Sequence, residues 1–482
     1  MADKGRGFNA LLSRAREVGE FIRDRAERDE ILILGHLDAD GITATSLIAM
    51  LVRLMGGSFQ TRSLEQLGPK ELEEAASIEK PVVMVDMGSG SISTLSGKMG
   101  SGLVVIDHHV PERDTAGDVL QLNPHEFGYE GHWEISASGL AYLVCKAAGV
   151  NAKSAAPVAV VGALADLQDK NKERKLNSLN SLIVNDGIEL GVVEEKEDLL
   201  FFGRETRPIH KALANSYIVP IPNITGNEEA AYILLSNLGI KVKEGERWRT
   251  ISELSEEEKK KLLVGLMTLF ADELKAQVMD LPFVGKVYNL LREDRRSPLR
   301  DAREFGYLLN SLGRTGRAAL GVAICLGVRG RVLESAEEAS REYSAKIRDS
   351  LNKVLNVPGA VARHGNLVVI RGEGIIDANL LSPVANMLSN SLMMTEDSLL
   401  LAFADQTEDT LKVSARAPET LVRRGISAGN IMAASASRLG GQGGGHPVAA
   451  GASIPKKQLQ KFIELVMEQY ERAASGQGQA EA

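Results

Sequence analysis

The stretch Ile31-Leu32-Ile33-Leu34-Gly35-His36-Leu37-Asp38-Ala39-Asp40-Gly41 decides the fold class. Four aliphatic residues in a row, without a charge, are too few for a helix and too apolar for a strand with one wet face. Such a run is typical of a strand buried on both faces, as in a parallel sheet. The polar residues that end it recur at a spacing of two. If the strand runs on, His36, Asp38 and Asp40 share one face of it. Helical spacing takes over from Thr43 to Met55. The pattern then repeats: Pro81 to Val85 is apolar and ends at Asp86, and Leu103 to Ile106 is apolar and ends at Asp107. Helix-like stretches follow at Ser138–Ala148 and Ala155–Leu164. Strands alternating with helices predict an α/β fold on a mostly parallel sheet.

With 482 residues the chain is too long for one core, and two or three domains are expected. After about Asp198 the pattern changes. Pro208, Pro220 and Pro222 mark irregular chain. Ser255 with Glu258 forms the signature of a capping box, and helical spacing continues from Leu262 to Leu281. Ser335 to Val354 reads as a charged connecting helix. A second, smaller α/β pattern follows, with strands expected at Leu367–Ile370, Leu399–Phe403 and Leu411–Ala415. The domain plan is therefore 1–190 a first α/β domain, 191–330 a helical middle region, 331–360 a connecting helix, and 361–475 a smaller carboxyl-terminal α/β domain.

Hydrophobic residues make up 44% and charged residues 25% of the chain, the balance of an ordinary soluble globular protein. No apolar run approaches the roughly 18–20 residues that span a bilayer, so no membrane is expected. No apolar signal core follows the charged start, and a cytoplasmic location is expected. Cys145 and Cys325 lie far apart in apolar stretches and read as two buried thiols. The net charge of −8 runs against nucleic acid as a partner, an objection that cations bound to clustered carboxylates offset.

Acidic and histidine residues end the apolar runs, and in open α/β sheets ligands bind beyond the carboxyl ends of the strands. The groups are His36, Asp38 and Asp40; Asp86; Asp107, His108 and His109; and Asp166 in Gly162-Ala163-Leu164-Ala165-Asp166. Any one Asp reads equally well as a turn or a helix cap. Three successive strand ends with acidic residues, one backed by two histidines, do not. Carboxylates with imidazoles suit Mn²⁺, with Mg²⁺ or another divalent cation as alternatives. The ligands suffice for two cations in the spacing used for in-line attack on phosphorus. Asp86 is central and the best bridging residue. Asp38, Asp40, His108 and Asp166 complete two coordination spheres, and His36 binds or lines them. Asp107 orients a histidine, and His109 donates to a phosphate oxygen.

These segments resemble motifs I to IV of the DHH phosphoesterases, with Asp107-His108-His109 as the naming signature. Gly443-Gly444-Gly445-His446-Pro447, followed by Ala449-Ala450-Gly451, resembles the glycine-rich motif of the DHHA1 substrate-binding domain. Ser414-Ala415-Arg416 resembles that domain's phosphate-gripping element, and glycines there let backbone N–H groups approach a phosphate. Asp38 to Ala44, Asn123-Pro124 with Ser138-Gly139, and Leu309-Asn310-Ser311-Leu312-Gly313-Arg314 resemble the RecJ-like branch. His36-x-Asp38-x-Asp40 with Leu167-Gln168-Asp169 is similar to archaeal RecJ homologues, including the GINS-associated nuclease. The motif I histidine departs from the superfamily's pyrophosphatases and nano-RNases, which place it four residues before the first Asp rather than two. The resemblance covers roughly residues 30–180 and 360–455. It implies a two-Mn²⁺ exonuclease on single-stranded DNA or RNA, acting in replication or repair, with the GINS complex as a partner. Ser414, Arg416, Gly443, Gly444, Gly445, His446, Asn310 and Arg314 would bind substrate, and Asp107 and His109 would serve catalysis. The alternatives are a small-molecule phosphoesterase (on nano-RNA, 3′-phosphoadenosine phosphate or cyclic dinucleotides) and a replisome scaffold.

Overall fold

In a computed structural model of the chain, the apolar runs of the first third are strands. The residues described are 2–99, 102–112, 119–216, 221–274, 283–389, 394–395 and 397–475. They fall into two units, Met1–Ala214 with Asn227–Arg341, and Asn215–Gly226 with Glu342–Ala482.

The first unit opens with helix α1 (Ala2–Ala26), followed by β1 (Ile31–His36), α2 (Ala39–Leu54), β2 (Phe59–Leu64), β3 (Val82–Val85), β4 (Leu103–Ile106) and β5 (Leu120–Leu122). The sheet runs β2-β1-β3-β4-β5 and every pairing is parallel. Leu32 lies beside Val82, and Val82 beside Leu103. Alternation then sorts the side chains. Ile31, Ile33, Val83, Val85, Val104 and Ile106 join a core with Leu47, Ile48, Leu140 and Val161. Leu32, Leu34, Val82, Met84, Leu103 and Val105 join a second core with Leu72, Ile92 and Leu95. Each such side chain, fully buried, stabilises by about 1.5–3 kcal/mol. Strand β2 is half exposed and polar at alternate positions. It sits at the edge of the sheet, where the buried-strand pattern does not apply.

Behind the first core lie α3 (Ala137–Ala147), α4 (Ala152–Ala165) and α5 (Ser178–Glu189). Cys145 and Cys325 are buried free thiols. The middle region begins with β6 (Val193–Leu199) and is helical, with α6 (Glu256–Leu274) as its longest helix. The expected capping box is present: Glu258 N–H donates to Ser255 Oγ at 3.2 Å, and Ser255 N–H to Glu258 Oε2 at 2.9 Å. The part of the expected helix beyond Leu274, to Leu281, lies outside the described residues. Strand β7 (Val284–Leu290) returns to pair antiparallel with β6. Helices α7 (Ala302–Arg314), α8 (Ala318–Cys325) and α9 (Arg331–Asn356) follow. A buried ion network pins the middle region to the start of α7. Arg204, 1% exposed, reaches Asp198 at 2.7 Å, Glu205 at 3.2 Å and Asp301 at 3.4 Å, while Lys259 also holds Asp198, at 2.9 Å.

The second unit carries β8 (Val361–His364), β9 (Leu367–Arg371), α10 (Leu381–Ser389), β10 (Leu399–Asp405), β11 (Thr410–Arg416), α11 (Ala428–Ser437), β12 (Gln442–Gly445), β13 (Ala449–Pro455) and α12 (Leu459–Ala474). Its sheet runs β8-β9-β10-β11-β13-β12, with the β9–β10 pair parallel and the others antiparallel. Both α/β domains and the helical middle are as the sequence predicts.

Candidate metal centre

Strand β1 does not run on to Asp40. It stops at His36, and Asp38 caps α2, its Oδ1 accepting the Gly41 N–H at 3.0 Å. A strand-to-helix turn, not a shared strand face, gathers the three polar residues. His36 Nδ1 lies 2.9 Å from Asp38 Oδ2. Asp40, in the first turn of α2, is 2% exposed. It accepts the Ala137 N–H at 2.8 Å and the Ser138 N–H at 3.0 Å, from the start of α3. Helix α4 closes over it at Gly162, where a Cβ would stand 2.6 Å from Asp40 Oδ1 and 2.3 Å from Thr43 Oγ1. No larger residue permits that approach.

The motif I turn is braced from far along the chain. The Ala39 N–H donates to Asn310 Oδ1 at 2.9 Å. A Cβ on Gly313 would lie 1.6 Å from the Leu37 carbonyl oxygen. Helix α7 thus lies against the backbone of the turn. Asn310, expected to bind substrate, has its side-chain oxygen committed to this brace. Arg314, one turn on, is half-buried and has no partner among the described residues.

Asp86 ends β3 with φ of 60°, a left-handed conformation that costs a non-glycine residue about 1 kcal/mol or more. Its N–H is tied to the Ile106 carbonyl at 2.9 Å. Its Oδ1 is buried and accepts no hydrogen bond, although His108 Nε2 stands 3.3 Å away. Its Oδ2 is 3.5 Å from His36 Nδ1.

The next strand end delivers Asp107, His108 and His109. Asp107, 1% exposed, accepts the Ser89 N–H at 2.9 Å and the His109 Nδ1–H at 2.8 Å. Burial works against its charge, but His109 and that backbone donor hold its pKa down at about 2. His108 Nδ1 is 2.8 Å from the Gly131 carbonyl. A carbonyl only accepts, so this nitrogen carries hydrogen and the Nε2 lone pair of a neutral ring faces the carboxylates. His109 is 44% exposed at its side chain. Asn123 holds the His109 carbonyl at 2.9 Å and caps the short helix that begins at Pro124.

Asp166 comes from the end of helix α4 rather than from a strand. Its Oδ2 lies 3.8 Å from His108 Nε2 and accepts from Gln168 Nε2 at 3.0 Å. Gln168, 0% exposed, donates also to the Gly131 carbonyl at 2.8 Å, and its own oxygen accepts from Asn180 at 2.6 Å.

Three groups of side chains have donor atoms close enough for one ion: His36, Asp38 and Asp86; Asp40, His108 and Asp166; and Asp86, His108 and His109. Asp107 belongs to none of them. Packing this many carboxylates together is costly without a cation. Burial, then the charge of Asp86, pushes the Asp40 pKa up to about 6. Burial, with Asp40 and Asp86 adding to it against the pull of His108, pushes Asp166 to about 7. Burial opposes charge on His36 and His108, but the carboxylates around them outweigh it and raise both well above the usual imidazole value. A divalent cation would relieve this repulsion and give the orphaned Asp86 oxygen a partner. The donor set, carboxylate oxygen with imidazole nitrogen, fits such an ion.

In the second unit, Ser414 lies beside Gly451 and Gly451 beside Gly444 in one row across three strands. The next row carries Arg416 beside Ala449, whose carbonyl accepts the His446 N–H at 2.9 Å. Alternation puts Ser414, Arg416, Gly444 and Gly451 on one face. The other face, with Gly443, packs on α11, where a Cβ on Gly443 would meet the Met432 carbonyl at 2.5 Å. The glycine run is therefore an edge strand rather than a loop. Arg416 donates to Ser414 Oγ at 3.0 Å and to the Ser382 carbonyl at 3.3 Å. Ser382, at the start of α10, stands in no motif, and sequence reasoning missed it. Gly131, whose carbonyl fixes His108, left no signal either.

The DHH family model, N-terminal domain, matches residues 30–167, the DHH-CID domain model residues 201–278, and the DHHA1 domain model residues 364–472. The uncharacterized protein MJ0831 of Methanocaldococcus jannaschii is 28% identical over 447 residues, 91% of this chain and 92% of that protein. The single-stranded-DNA-specific exonuclease RecJ of Dickeya dadantii is 29% identical over 130 residues, 24% of this chain and 22% of that one. Among solved structures, CDC45 from Entamoeba histolytica is similar with a TM-score of 0.63 and 12% identity, over 95% of this chain and 99% of that one. RecJ from Thermus thermophilus, in complex with Mn²⁺, has a TM-score of 0.57 and 17% identity over 95% of this chain. The chain spans 55% of that RecJ. At these identities the two structures share the fold. The three family models, laid in order along one chain, give it a DHH N-terminal domain, a DHH-CID domain in its middle and a DHHA1 domain at its carboxyl side.

Proposed function

We propose that the chain is a divalent-metal-dependent exonuclease hydrolysing phosphodiester bonds of single-stranded DNA or RNA, in replication or repair. The observation that carries this reading is the buried Asp86 Oδ1, which lacks a hydrogen bond in a residue shared by two of the three ligand groups. Over 130 residues it is similar to the single-stranded-DNA-specific exonuclease RecJ of Dickeya dadantii, and the RecJ of similar fold was crystallised with Mn²⁺.

In this reading His36, Asp38 and Asp86 would hold one cation, and Asp40, His108 and Asp166 would hold the second, with Asp86 Oδ1 facing this second group. Mn²⁺ is the first choice, with Mg²⁺ or another divalent cation as alternatives; bound there, the cations supply the charge that activates water and offsets the phosphate. The residues do the rest. Gly131 fixes the tautomer of His108. Asp107 takes the Nδ1–H of His109 and raises its pKa against the effect of burial, so Nε2–H is available to donate to a phosphate oxygen. Arg416, Ser414, His446 and the Gly443–Gly445 edge grip a phosphate further along the strand. Arg314 is left for the nucleic-acid backbone, whereas Asn310 positions the motif I turn. The resemblance to archaeal RecJ homologues carries with it a proposal of association with the GINS complex. No described helix is long and apolar enough to cross a membrane.

A non-catalytic role has one observation in its favour, the likeness to CDC45 over nearly the whole chain. Against it stands the full set of converging ligands.

The test is digestion of end-labelled single-stranded DNA and RNA with Mn²⁺, beside a dinucleotide and a cyclic dinucleotide, using the protein and its Asp86→Ala variant. Progressive shortening of the oligomers, abolished in the variant and by EDTA, is the expected result. Hydrolysis of the dinucleotides alone would move the assignment to a small-molecule phosphoesterase. Mn²⁺ binding without any hydrolysis would move it to a scaffold.

A further inference from the structure

Within the first unit, away from the ligand cluster, a cavity of about 360 Å³ opens between α2, α4, α8 and the chain after β7. Its floor is apolar, with Met50, Val158, Phe305 and Leu326. Its rim carries Arg53, Lys153 and Arg292, all exposed. The side chains of these three make no hydrogen bond or ion pair among the described residues. Other arginines of this chain bind carboxylates, as Arg62 does Glu74, Arg249 does Glu258 and Arg296 does Glu253. The cavity's one carboxylate, Glu293, is already held by Arg329. Three uncommitted cations therefore face one space. Lys153 and Ser154 also lie in the first turn of the 14-residue α4, where the helix dipole favours an anion.

The place is remote from the metal centre. Helix α2 carries Asp40 in its first turn and Arg53 in its last. Helix α4 runs the other way, from Ser154 at the cavity to Asp166 at the centre. At about 1.5 Å per residue, each helix separates the two places by roughly 20 Å. A ligand in the cavity does not touch the reacting atoms.

We propose that this cavity is a second small-molecule site, taking a phosphomonoester carried on an apolar body of nucleoside size. Arg53, Lys153 and Arg292 bind the phosphate, and the floor buries the body. The volume is within the range of small-ligand sites, and guanidinium groups pair with phosphate in two-point fashion. The proposal does not rest on the nuclease reading, because binding is measured without metal.

The experiment is calorimetric titration of the full chain, in EDTA, with adenosine monophosphate, adenosine, ribose 5-phosphate and inorganic phosphate. Adenosine monophosphate should bind once per chain, at least tenfold more tightly than each of the other three. Arg53→Glu with Arg292→Glu should weaken it tenfold or more, and Ser154→Trp, which fills the space without changing charge, should do the same. Arg416→Ala, on the sheet of the second unit, should leave it unchanged. The unfolding midpoint and Mn²⁺ titration of each variant show whether the fold is intact. Equal binding of ribose 5-phosphate overturns the apolar half of the proposal. No saturation at about 1 mM, indifference to both cavity variants, or loss of binding in Arg416→Ala overturns the site.

Discussion

Gln168 is the side chain on which two of the proposed ligands depend at once. One amide nitrogen serves Asp166 and the carbonyl that fixes His108. Such outer partners are typically worth 10–100-fold in metal affinity. Gln168→Leu should therefore lower Mn²⁺ affinity by that much, read by spin-resonance titration, while the folded protein persists. It should also cost about 1–3 kcal/mol of stability, because Asn180 is left buried without its acceptor. Unchanged Mn²⁺ affinity would show that Gly131 alone orients the histidine. At this scale the sequence was most legible where residues end strands. His36, Asp86 and Asp107 to His109 could be read from the breaks in apolar runs. The carbonyl of Gly131 and the hydroxyl of Ser382 could not, because backbone groups and lone serines carry no pattern.

At the scale of elements, α7 is the brace of the motif I turn. Asn310→Ala removes a helix-capping bond worth about 1 kcal/mol. Gly313→Ala is more severe, since its Cβ would overlap the Leu37 carbonyl. We expect Asn310→Ala to lose activity with little loss of stability, and Gly313→Ala to lose both; kinetics beside thermal unfolding separates them. The other end of α7 sets a pH dependence. Around Arg204 and Lys259 stand four carboxylates, Asp198, Glu205, Asp301 and Glu304. Burial, then the charge of Asp301, pushes Glu304 from 4.5 up to about 8. The folded state thus keeps a proton that the unfolded state has released, and stability falls as pH rises from about 4.5 to 8. Glu304→Gln should flatten that decline, as followed by denaturant unfolding at several pH values; an equally steep decline would place the proton elsewhere. The sequence reveals the helix here but not its partner. Strand β6 reads Val193-Glu-Glu-Lys-Glu-Asp-Leu199, too charged to look like a strand, and its pairing with β7 comes from far along the chain.

For the whole molecule, the division of labour between the two units is open to a direct test. Arg416→Ala leaves every proposed metal ligand in place. It should cut cleavage of long oligomers about tenfold or more, chiefly through KM, with Mn²⁺ binding and dinucleotide hydrolysis unchanged. Oligomer cleavage in the unaltered protein should also weaken steeply with salt, and the variant should show a shallower slope, by about one phosphate. An identical slope would remove Arg416 from the path of the strand. Both α/β sheets were legible because their central strands are self-contained apolar runs, whereas the polar edge strand β2 and the glycine edge strand β12 were not read as strands. The domain between them was legible as helical and no further, since its shape depends on a buried ion network that leaves no periodic trace.

The bond from Ala39 to Asn310 joins residues 271 apart, and that separation is also an interval of time. Synthesis proceeds at roughly 5–20 residues per second. The first strands and all the acidic residues of the centre are therefore made roughly 7–50 seconds before the side chain that braces their turn. A nascent chain carries the proposed ligands without the rigid turn that aligns them. Helix α7 acts as a delay: the turn that carries Asp38 and Asp40 is braced only after nearly two thirds of the protein has been made.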